Sequence, residues 1–300
     1  MFMGLEGVHV EVTGDGPQTV VLIHGFSDNA NTWRRVVPAL ATRYRVVALD
    51  LPGHGRSTRV WTTPLVDGYV DLVAEVLDAL GTAGPVSIVG NSMGAVVATM
   101  YAERFADQVD RIALIGMPGV HAVPMLWRLA ASRPAAIAMR TAFAPIPVSR
   151  LQRSFGWIYA HAASPQPGVI DPTALRGYFD TYANRDRLFG LADIARALLA
   201  ELRVLRLDGV LARETVPTLQ IWGRYDRLVP SRHVADRGVP RQPGVVVLPG
   251  CGHCPQLDAP DILLATLLPF LAAEPGSDAR LPARRAGNVR AGTDTRAPRS

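Results

Sequence analysis

The first half of the chain alternates short apolar runs with amphipathic segments. Residues 19–25 are a continuous, mostly β-branched run that ends in glycine, which is the pattern of a strand buried on both faces. Three further runs have this character, at residues 44–53, 85–91 and 109–116. The pattern therefore predicts four buried strands, each followed by turn-forming residues.

Apolar residues at helical spacing occupy the segments between these strands. Residues 65–80 carry valine and leucine near one face, and residues 93–105 are small and apolar throughout. Residues 32–42 also have apolar positions at helical spacing. Alternating strands and helices imply right-handed crossovers, so we expect an α/β fold with a mostly parallel, doubly wound sheet and helices on both faces.

The alternation stops after residue 116 and resumes late in the chain. Residues 215–223 and 244–250 predict two more strands, and residues 261–273 predict a last helix. The segment between is helical in character and rich in aromatic residues, proline and arginine. We therefore assign residues 1–116 and 214–274 to an α/β core, residues 117–213 to an inserted helical unit, and residues 275–300 to a disordered basic tail.

Charge and cysteine content narrow the class of protein. The formal charge is +5, but residues 275–300 hold six arginines and only two aspartates, so the body is not expected to bind nucleic acid. Two cysteines are too few for a disulfide scaffold. The N-terminus lacks a signal-peptide pattern, and the apolar segment 262–273 is too short to span a bilayer. We expect a cytoplasmic protein without a membrane span.

A G-x-S-x-G motif, Gly90–Gly94, stands where a predicted strand meets a predicted helix. A nucleophile elbow needs this context, because the sharp strand-to-helix turn lifts the serine above the carboxyl edge of the sheet. The turn also sets Ser92 at a helix N-terminus, where free N–H groups favour developing negative charge. Ser92 is therefore the predicted nucleophile.

A serine hydroxyl needs a base, and the base needs a carboxylate that orients it. Asp226 follows one late predicted strand and His253 follows the other, which gives the order serine, acid, histidine. Both positions lie at the carboxyl ends of strands, on the edge that carries Ser92. We predict that His253 is the general base and that Asp226 orients it.

The segment His24–Phe26 follows the first predicted strand. His24 is expected to hold this loop by hydrogen bonds. The N–H of Phe26, two residues further on, and the N–H of Met93 are the predicted oxyanion hole, because two donors aimed at one tetrahedral intermediate lower the barrier to acyl transfer.

Several neighbouring residues allow other interpretations. Cys251–Cys254 matches the active-site tetrapeptide of disulfide isomerases, but that motif begins a helix, whereas this one follows a late strand and precedes a proline. We expect two thiols packed around the histidine loop. Asp50 and His54 lie in tight turns and are interpreted as structural. No histidine pair has metal-ligand spacing, so neither a metal nor a cofactor is expected.

Five ordered motifs across residues 6–273 resemble the α/β-hydrolase superfamily. They are His24–Phe26, Asp50–Ser57, Gly90–Ala95, Ile221–Pro230 and Gly250–Pro260. The resemblance implies an α/β-hydrolase fold in which residues 117–213 form a helical cap over the active site. The elbow is similar to that of the meta-cleavage-product hydrolases, which cut carbon–carbon bonds, although Phe26 and Cys254 depart from the pattern of those enzymes.

We therefore expect a carboxylesterase- or lipase-like serine hydrolase that transfers the acyl group of a medium-sized hydrophobic ester or ketone to water. Arg128, Arg140 and Arg187 are candidate partners for a substrate carboxylate. Apolar residues of the insertion indicate a hydrophobic pocket: Trp127, Phe143, Phe155, Trp157, Tyr159, Tyr178, Phe179, Tyr182, Phe189, Met117, Met125 and Met139. A carbon–carbon hydrolase, a cofactor-free haloperoxidase and a hydrolase-fold ligand receptor remain alternatives.

Overall fold

The computed structural model describes residues 5–119, 129, 132–163, 184–213, 215–230 and 244–274. The predicted tail at 275–300 and several stretches of the predicted cap lie outside these residues. The strands are β1 (Val10–Thr13), β2 (Thr19–Ile23), β3 (Arg45–Leu49), β4 (Val86–Asn91), β5 (Val109–Ile115), β6 (Thr218–Gly223) and β7 (Val245–Leu248). The described α-helices are α1 (Val37–Leu40), α2 (Leu65–Ala79), α3 (Met93–Arg104), α4 (Arg133–Phe143), α5 (Val148–Ala163), α6 (Arg185–Glu201), α7 (Leu207–Arg213), α8 (Pro255–Asp258) and α9 (Pro260–Leu271).

The seven strands form one sheet in the order β1-β3-β2-β4-β5-β6-β7. Only β1 runs antiparallel, to β3, and every other pair is parallel. The predicted α/β fold with a mostly parallel sheet is therefore confirmed. The edge strand β1 was not predicted, because its four residues are largely exposed and so lack the continuous apolar run of the neighbouring strands.

Alternate residues of the central strands belong to two separate hydrophobic cores, one on each face of the sheet. Val21 and Ile23 of β2 pack in a cluster with side chains of α2 and α3. Val20 and Leu22 of the same strand pack on the opposite face, in a cluster with side chains of α9 and Trp33. Because successive side chains point to opposite faces, a strand buried on both sides must be apolar at every position. This explains the continuous apolar runs in the sequence.

The segment predicted to be helical at residues 32–42 is divided in two. A 3-10 helix covers Ala30–Trp33, and its N-cap residue Asn29 accepts a hydrogen bond from the N–H of Asn31. The short α1 follows, with a proline in its first turn. Proline cannot donate a backbone hydrogen bond and suits only the start of a helix. A new helix, α1, therefore begins beside Pro38, and the segment does not form one continuous helix.

Helices α4 to α7 lie between β5 and β6, in the predicted insertion, and α6 is attached to the core at both ends. Near its start, the guanidinium of Arg187 donates to the carbonyls of Gly55 and Ser57. At its end, the carboxylate of Glu201 accepts from the N–H groups of Leu65 and Val66, at 2.5 and 2.9 Å. These are the unpaired donors of the first turn of α2, so Glu201 caps that helix.

Helix α9 is fixed to the amino edge of the sheet by a buried arginine. The guanidinium of Arg111 pairs with Asp110 at 2.6 Å and donates to the carbonyls of Phe270 and Ala273. Phe270 lies in the last turn of α9 and Ala273 two residues beyond its end, where cations are favourable. Among the described residues, no helix is long and apolar enough to cross a membrane.

Candidate active site

Ser92 occupies a strained turn between β4 and α3. Its φ of 53° and ψ of −116° are values that residues other than glycine rarely adopt. Its backbone N–H donates to the carbonyl of Ile115 at 2.7 Å, and its side chain does not cap α3. Glycine is needed nearby, because a Cβ on Gly94 would lie 2.2 Å from the carbonyl oxygen of Ile23. The predicted elbow geometry is therefore present, with the hydroxyl not committed to the helix.

His253 and Asp226 form a buried pair. Nδ1 of the imidazole lies 2.8 Å from Oδ2 of the carboxylate, and both side chains are almost fully shielded from solvent. The other carboxylate oxygen accepts from the N–H groups of Leu228 and Val229 at 2.9 and 2.7 Å. Because a carboxylate only accepts, Nδ1 carries the proton, and Nε2 is the basic nitrogen of the neutral ring.

This pair lies at the strand end that also holds the elbow. Gly116 directly follows Ile115, the residue that accepts from the N–H of Ser92. A Cβ on Gly116 would lie 3.0 Å from Nδ1 of His253 and 3.2 Å from Oδ2 of Asp226. The turn at Gly116, directly after β5, therefore adjoins Ile115, whose carbonyl accepts from Ser92. The same turn lies close to the pair of His253 and Asp226. The structure brings Ser92, Asp226 and His253 to the same edge of the sheet, as predicted.

Asn91 joins the elbow to the histidine loop, a role that the sequence analysis did not identify. Its Nδ2 donates to the carbonyl of His253 at 3.0 Å. Its Oδ1 accepts from Nε2 of Gln256 at 3.2 Å, and the same nitrogen lies 3.2 Å from Oγ1 of Thr32. Both amide side chains are fully buried. The only local signal was a polar residue at the end of an apolar strand.

The N–H groups of Phe26 and Met93 have no acceptor within the described part of the chain. Gly25, which precedes Phe26, is close to the elbow, since a Cβ there would lie 3.1 Å from Cβ of Ser92. The loop is held by His24, whose Nε2 accepts from the N–H of Leu51 at 2.9 Å while its Nδ1 donates to the carbonyl of Gly25 at 2.7 Å. Two unpaired donors beside a serine suit a developing oxyanion.

Asp50 and His54 have structural roles, as their turns indicated. The carboxylate of Asp50 accepts from the N–H groups of Ala30 and Arg56 at 2.6 and 2.7 Å, which ties two loops together. His54 is completely buried, and its ring packs 5.1 Å from that of His24. Burial, reinforced by His24, holds the pKa of His54 well below its ordinary value, so its ring is neutral.

Both cysteines are buried free thiols. Burial, together with the negative charges of Asp258 and Asp226, raises the pKa of Cys251 to about 12. Redox-active motifs need a lowered thiol pKa, so this environment is opposite to that of a disulfide isomerase. Cys254 contacts Oδ1 of Asn91 through its Sγ at 3.8 Å. The cysteines therefore pack around the histidine loop, as predicted.

Of the three arginines that were candidate partners for a substrate carboxylate, two already bind other groups of the chain and the third lies outside the described residues. Arg187 binds core carbonyls, and Arg140 pairs with Asp193 at 2.9 Å. Arg128 lies outside the described residues, as do Trp127, Met125, Tyr178, Phe179 and Tyr182, and so do the side chains of Phe155 and Tyr159. Within the described residues, no group of His, Cys, Asp and Glu is arranged to hold a metal ion.

Comparison with protein families gives one match that covers most of the chain. The model of the "Alpha/beta hydrolase family" matches residues 20–266. This range includes every predicted site residue. The structure of Cfl2 from Burkholderia cenocepacia superposes with a TM-score of 0.75, at 22% identity, over 89% of this chain and 93% of that one. At this level of identity, the similarity between the two structures shows only that they share a fold.

Three curated relatives differ in what their names describe. An uncharacterized protein of Mycobacterium tuberculosis is 32% identical over 83% of this chain and 73% of its own length. A pimeloyl-(acyl-carrier protein) methyl ester esterase of Methylococcus capsulatus is 34% identical over 75% of this chain and 82% of its own. A 2-hydroxy-6-oxononadienedioate/2-hydroxy-6-oxononatrienedioate hydrolase of a Pseudomonas species is 26% identical over 88% and 92%.

Proposed function

Because this chain belongs to the alpha/beta hydrolase family, we propose that it is a serine hydrolase that cleaves an ester or related acyl bond of a medium-sized hydrophobic substrate. One observation carries the proposal. A strained serine and a buried histidine–aspartate pair meet at one edge of the sheet, around the turn at Gly116. A base oriented by a carboxylate beside such a serine is the arrangement that acyl transfer needs.

In the first step, the hydroxyl of Ser92 attacks the substrate carbonyl and gives its proton to Nε2 of His253. The carboxylate of Asp226 keeps Nδ1 protonated and stabilises the imidazolium that forms. The N–H groups of Phe26 and Met93 bind the oxyanion of the tetrahedral intermediate. The intermediate collapses to an acyl-enzyme on Ser92, and the leaving group takes the proton from His253.

In the second step, water replaces the leaving group. Nε2 of His253 accepts a proton from the water, whose oxygen attacks the acyl carbon, and the same oxyanion donors act again. Collapse releases a carboxylic acid and returns the proton to Ser92. The cycle needs no group beyond the chain, the substrate and water.

A hydrophobic acyl group suits the apolar residues that adjoin the contacts of Ser92 and His253. Met117, directly after Gly116, is fully buried, and Phe26 is half-buried with its ring 6.2 Å from that of His54. Ala163, at the end of α5, is buried and accepts from the backbone N–H of His253 at 2.7 Å. Apolar walls around a few convergent polar groups are typical of sites for small, mostly apolar ligands.

Ser92→Ala tests the proposal. Turnover of p-nitrophenyl esters of rising chain length should fall about 10⁴-fold or more. Ser87→Ala is the matched control, because Ser87 is a buried serine on the same strand and contacts Asp110 at the other end of the sheet. Mass spectrometry should detect an acyl adduct on Ser92 of the wild type. Unchanged turnover of Ser92→Ala would reject the serine mechanism.

Cleavage of a carbon–carbon bond is the second candidate, because relatives at 26% and 27% identity are named as oxononadienedioate hydrolases. A ring-fission dienoate in the same panel separates the two reactions. Turnover of the dienoate well above that of every ester would favour this candidate. A single turnover on all substrates, with a stable adduct, would instead indicate a ligand receptor.

A further inference from the structure

Helices α4 and α5 of the insertion lie in a part of the sequence that has no acidic residues. Residues 112–170 contain five arginines and no aspartate, glutamate or lysine. Four of these arginines are in α4 and α5, at positions 133, 140, 150 and 153. The neighbouring α6 is different, because its arginines alternate with Asp186, Asp193 and Glu201. The positive charge is therefore concentrated on two helices.

Large apolar side chains are exposed among these arginines. Arg150, Arg153 and Trp157 are spaced three and four residues apart on α5, so they share one face, and Trp157 is 61% exposed. The opposite face of α5 carries Leu151, which is buried. On α4, Ile137 is 65% exposed, one turn after the exposed Arg133. We use the name basic face for the exposed residues Arg150, Arg153 and Trp157 of α5 together with Arg133 and Ile137 of the preceding helix α4.

The charges of the basic face are not neutralised locally. Arg140 pairs with Asp193 and lies over the ring of Phe189, so it is excluded from the face. Within the described part of the chain, Arg133, Arg150 and Arg153 form no ion pair. The loop between α4 and α5 is held by Arg185, which donates to the carbonyls of Phe143 and Ile146. Arg185 therefore fixes the loop that joins the two helices, while Arg133, Arg150 and Arg153 remain exposed.

We propose that the basic face docks on a bilayer that contains anionic phospholipids. Basic amphipathic helices with exposed tryptophan lie in the headgroup region, where arginine binds phosphate and the indole enters the acyl boundary. A bilayer fits the arginines together with the exposed Trp157 and Ile137, because basic residues combined with tryptophan and other apolar side chains are the pattern of an interfacial helix. Binding to an acidic protein is the alternative that the experiment distinguishes. Each arginine near such a surface is worth about a 5-fold gain in affinity.

The docked helix leads to the candidate active site. The carbonyl of Ala163, the last residue of α5, accepts from the backbone N–H of His253 at 2.7 Å. A bilayer bound along α5 would therefore lie close to the histidine loop, and a hydrophobic substrate dissolved in it would have a short path to the site. This last consequence rests on the proposed function, whereas the binding itself does not.

Vesicle co-sedimentation tests the proposal with full-length Ser92→Ala protein, so that the lipids stay intact. Vesicles of phosphatidylglycerol mixed with phosphatidylcholine should bind, and pure phosphatidylcholine vesicles should bind far less. The variant Arg150→Glu/Arg153→Glu should lose at least about 25-fold in affinity for the anionic vesicles. Arg43→Glu/Arg224→Glu is the matched control, because it makes the same charge change at exposed residues of the core.

Trp157→Ala separates insertion from simple charge attraction. It should weaken binding without changing the charge, while Ile262→Ala, at an exposed apolar residue of α9, should not. Equal binding of the two charge-reversed variants, or of Trp157→Ala and wild type, overturns the proposal. Capture of an acidic protein without vesicle binding overturns it as well. Thermal unfolding of each variant verifies that it is folded, and ester turnover of the Ser92 form tests the hydrolase mechanism separately.

Discussion

Two largely buried side-chain pairs stand at opposite edges of the same sheet. At the amino edge, Asp110 and Arg111 pair at 2.6 Å, and at the carboxyl edge, Asp226 and His253 pair at 2.8 Å. All guanidinium nitrogens of Arg111 are engaged, since Nε binds the carboxylate and the other two nitrogens also bind carbonyls of the C-terminal helix region. Within the described residues, the side chain of His253 forms a hydrogen bond through Nδ1 alone, which leaves Nε2 for another partner.

This difference distinguishes a structural pair from the proposed catalytic pair. A buried charge is costly unless its hydrogen bonds are satisfied, so a saturated arginine contributes to the attachment of α9 and has no capacity for chemistry. A histidine that is fixed by one nitrogen and free at the other can move a proton. Burial and pairing alone therefore do not identify a site, whereas an unused donor or acceptor at the sheet's carboxyl edge does.

The largest expected effects come from breaking each pair. Asp226→Asn should lower kcat about 10⁴-fold, because the amide disfavours the tautomer with a protonated Nδ1. Arg111→Met should leave kcat of the folded protein nearly unchanged and should lower the free energy of unfolding by about 3 kcal/mol. Steady-state ester kinetics and urea unfolding of both variants measure the two effects. The comparison fails if Arg111→Met loses activity and Asp226→Asn keeps it.

Gly116→Ala should have an intermediate effect. The added methyl group would lie 3.0 Å from Nδ1 of His253, so the ring or the carboxylate must shift. A displacement of this kind costs about 10²-fold in kcat. Gly81→Ala is the matched control, because Gly81 has a φ of 58° against 55° at Gly116 and nothing within 4 Å of the added Cβ. Equal kinetics in the two variants would show that contact between the added methyl group and the histidine–aspartate pair does not affect turnover.

The sequence carried more information on the strands and on the three proposed catalytic residues than on the contacts that surround them. Strands buried on both faces must be apolar throughout, and a strained elbow beside a helix needs small residues, so both leave local patterns. β1 was missed because an exposed edge strand needs no such run. The 3-10 helix at Ala30–Trp33 was not separated from α1, since apolar spacing does not distinguish one helix from two.

The contacts that align the site depend on pairs far apart in the chain. Asn91 and Gln256 are separated by 165 positions, and Arg187 binds the carbonyl of Gly55 across 132 positions. A polar side chain in an apolar segment indicates that some partner exists, but its identity follows only from the folded arrangement. The role of Arg187 as an anchor of α6, and not as a partner for substrate, emerged in this way.

The smallest expected effect concerns His54, a buried histidine that has no carboxylate partner among the described residues. Its pKa in the folded protein lies well below the value of about 6.5 in the unfolded chain. Above about pH 6.5 the ring of His54 is neutral in both the folded and the unfolded protein, so it does not lower the free energy of unfolding. As the pH falls below that value, the unfolded chain takes up a proton first, so stability should fall by at most about 1.4 kcal/mol per pH unit. His54→Asn should flatten this slope between about pH 5 and 7, and His9→Asn is the control substitution at a partly exposed histidine. Urea unfolding across that range measures both, and an unchanged slope in His54→Asn would mean that His54 is not the residue responsible.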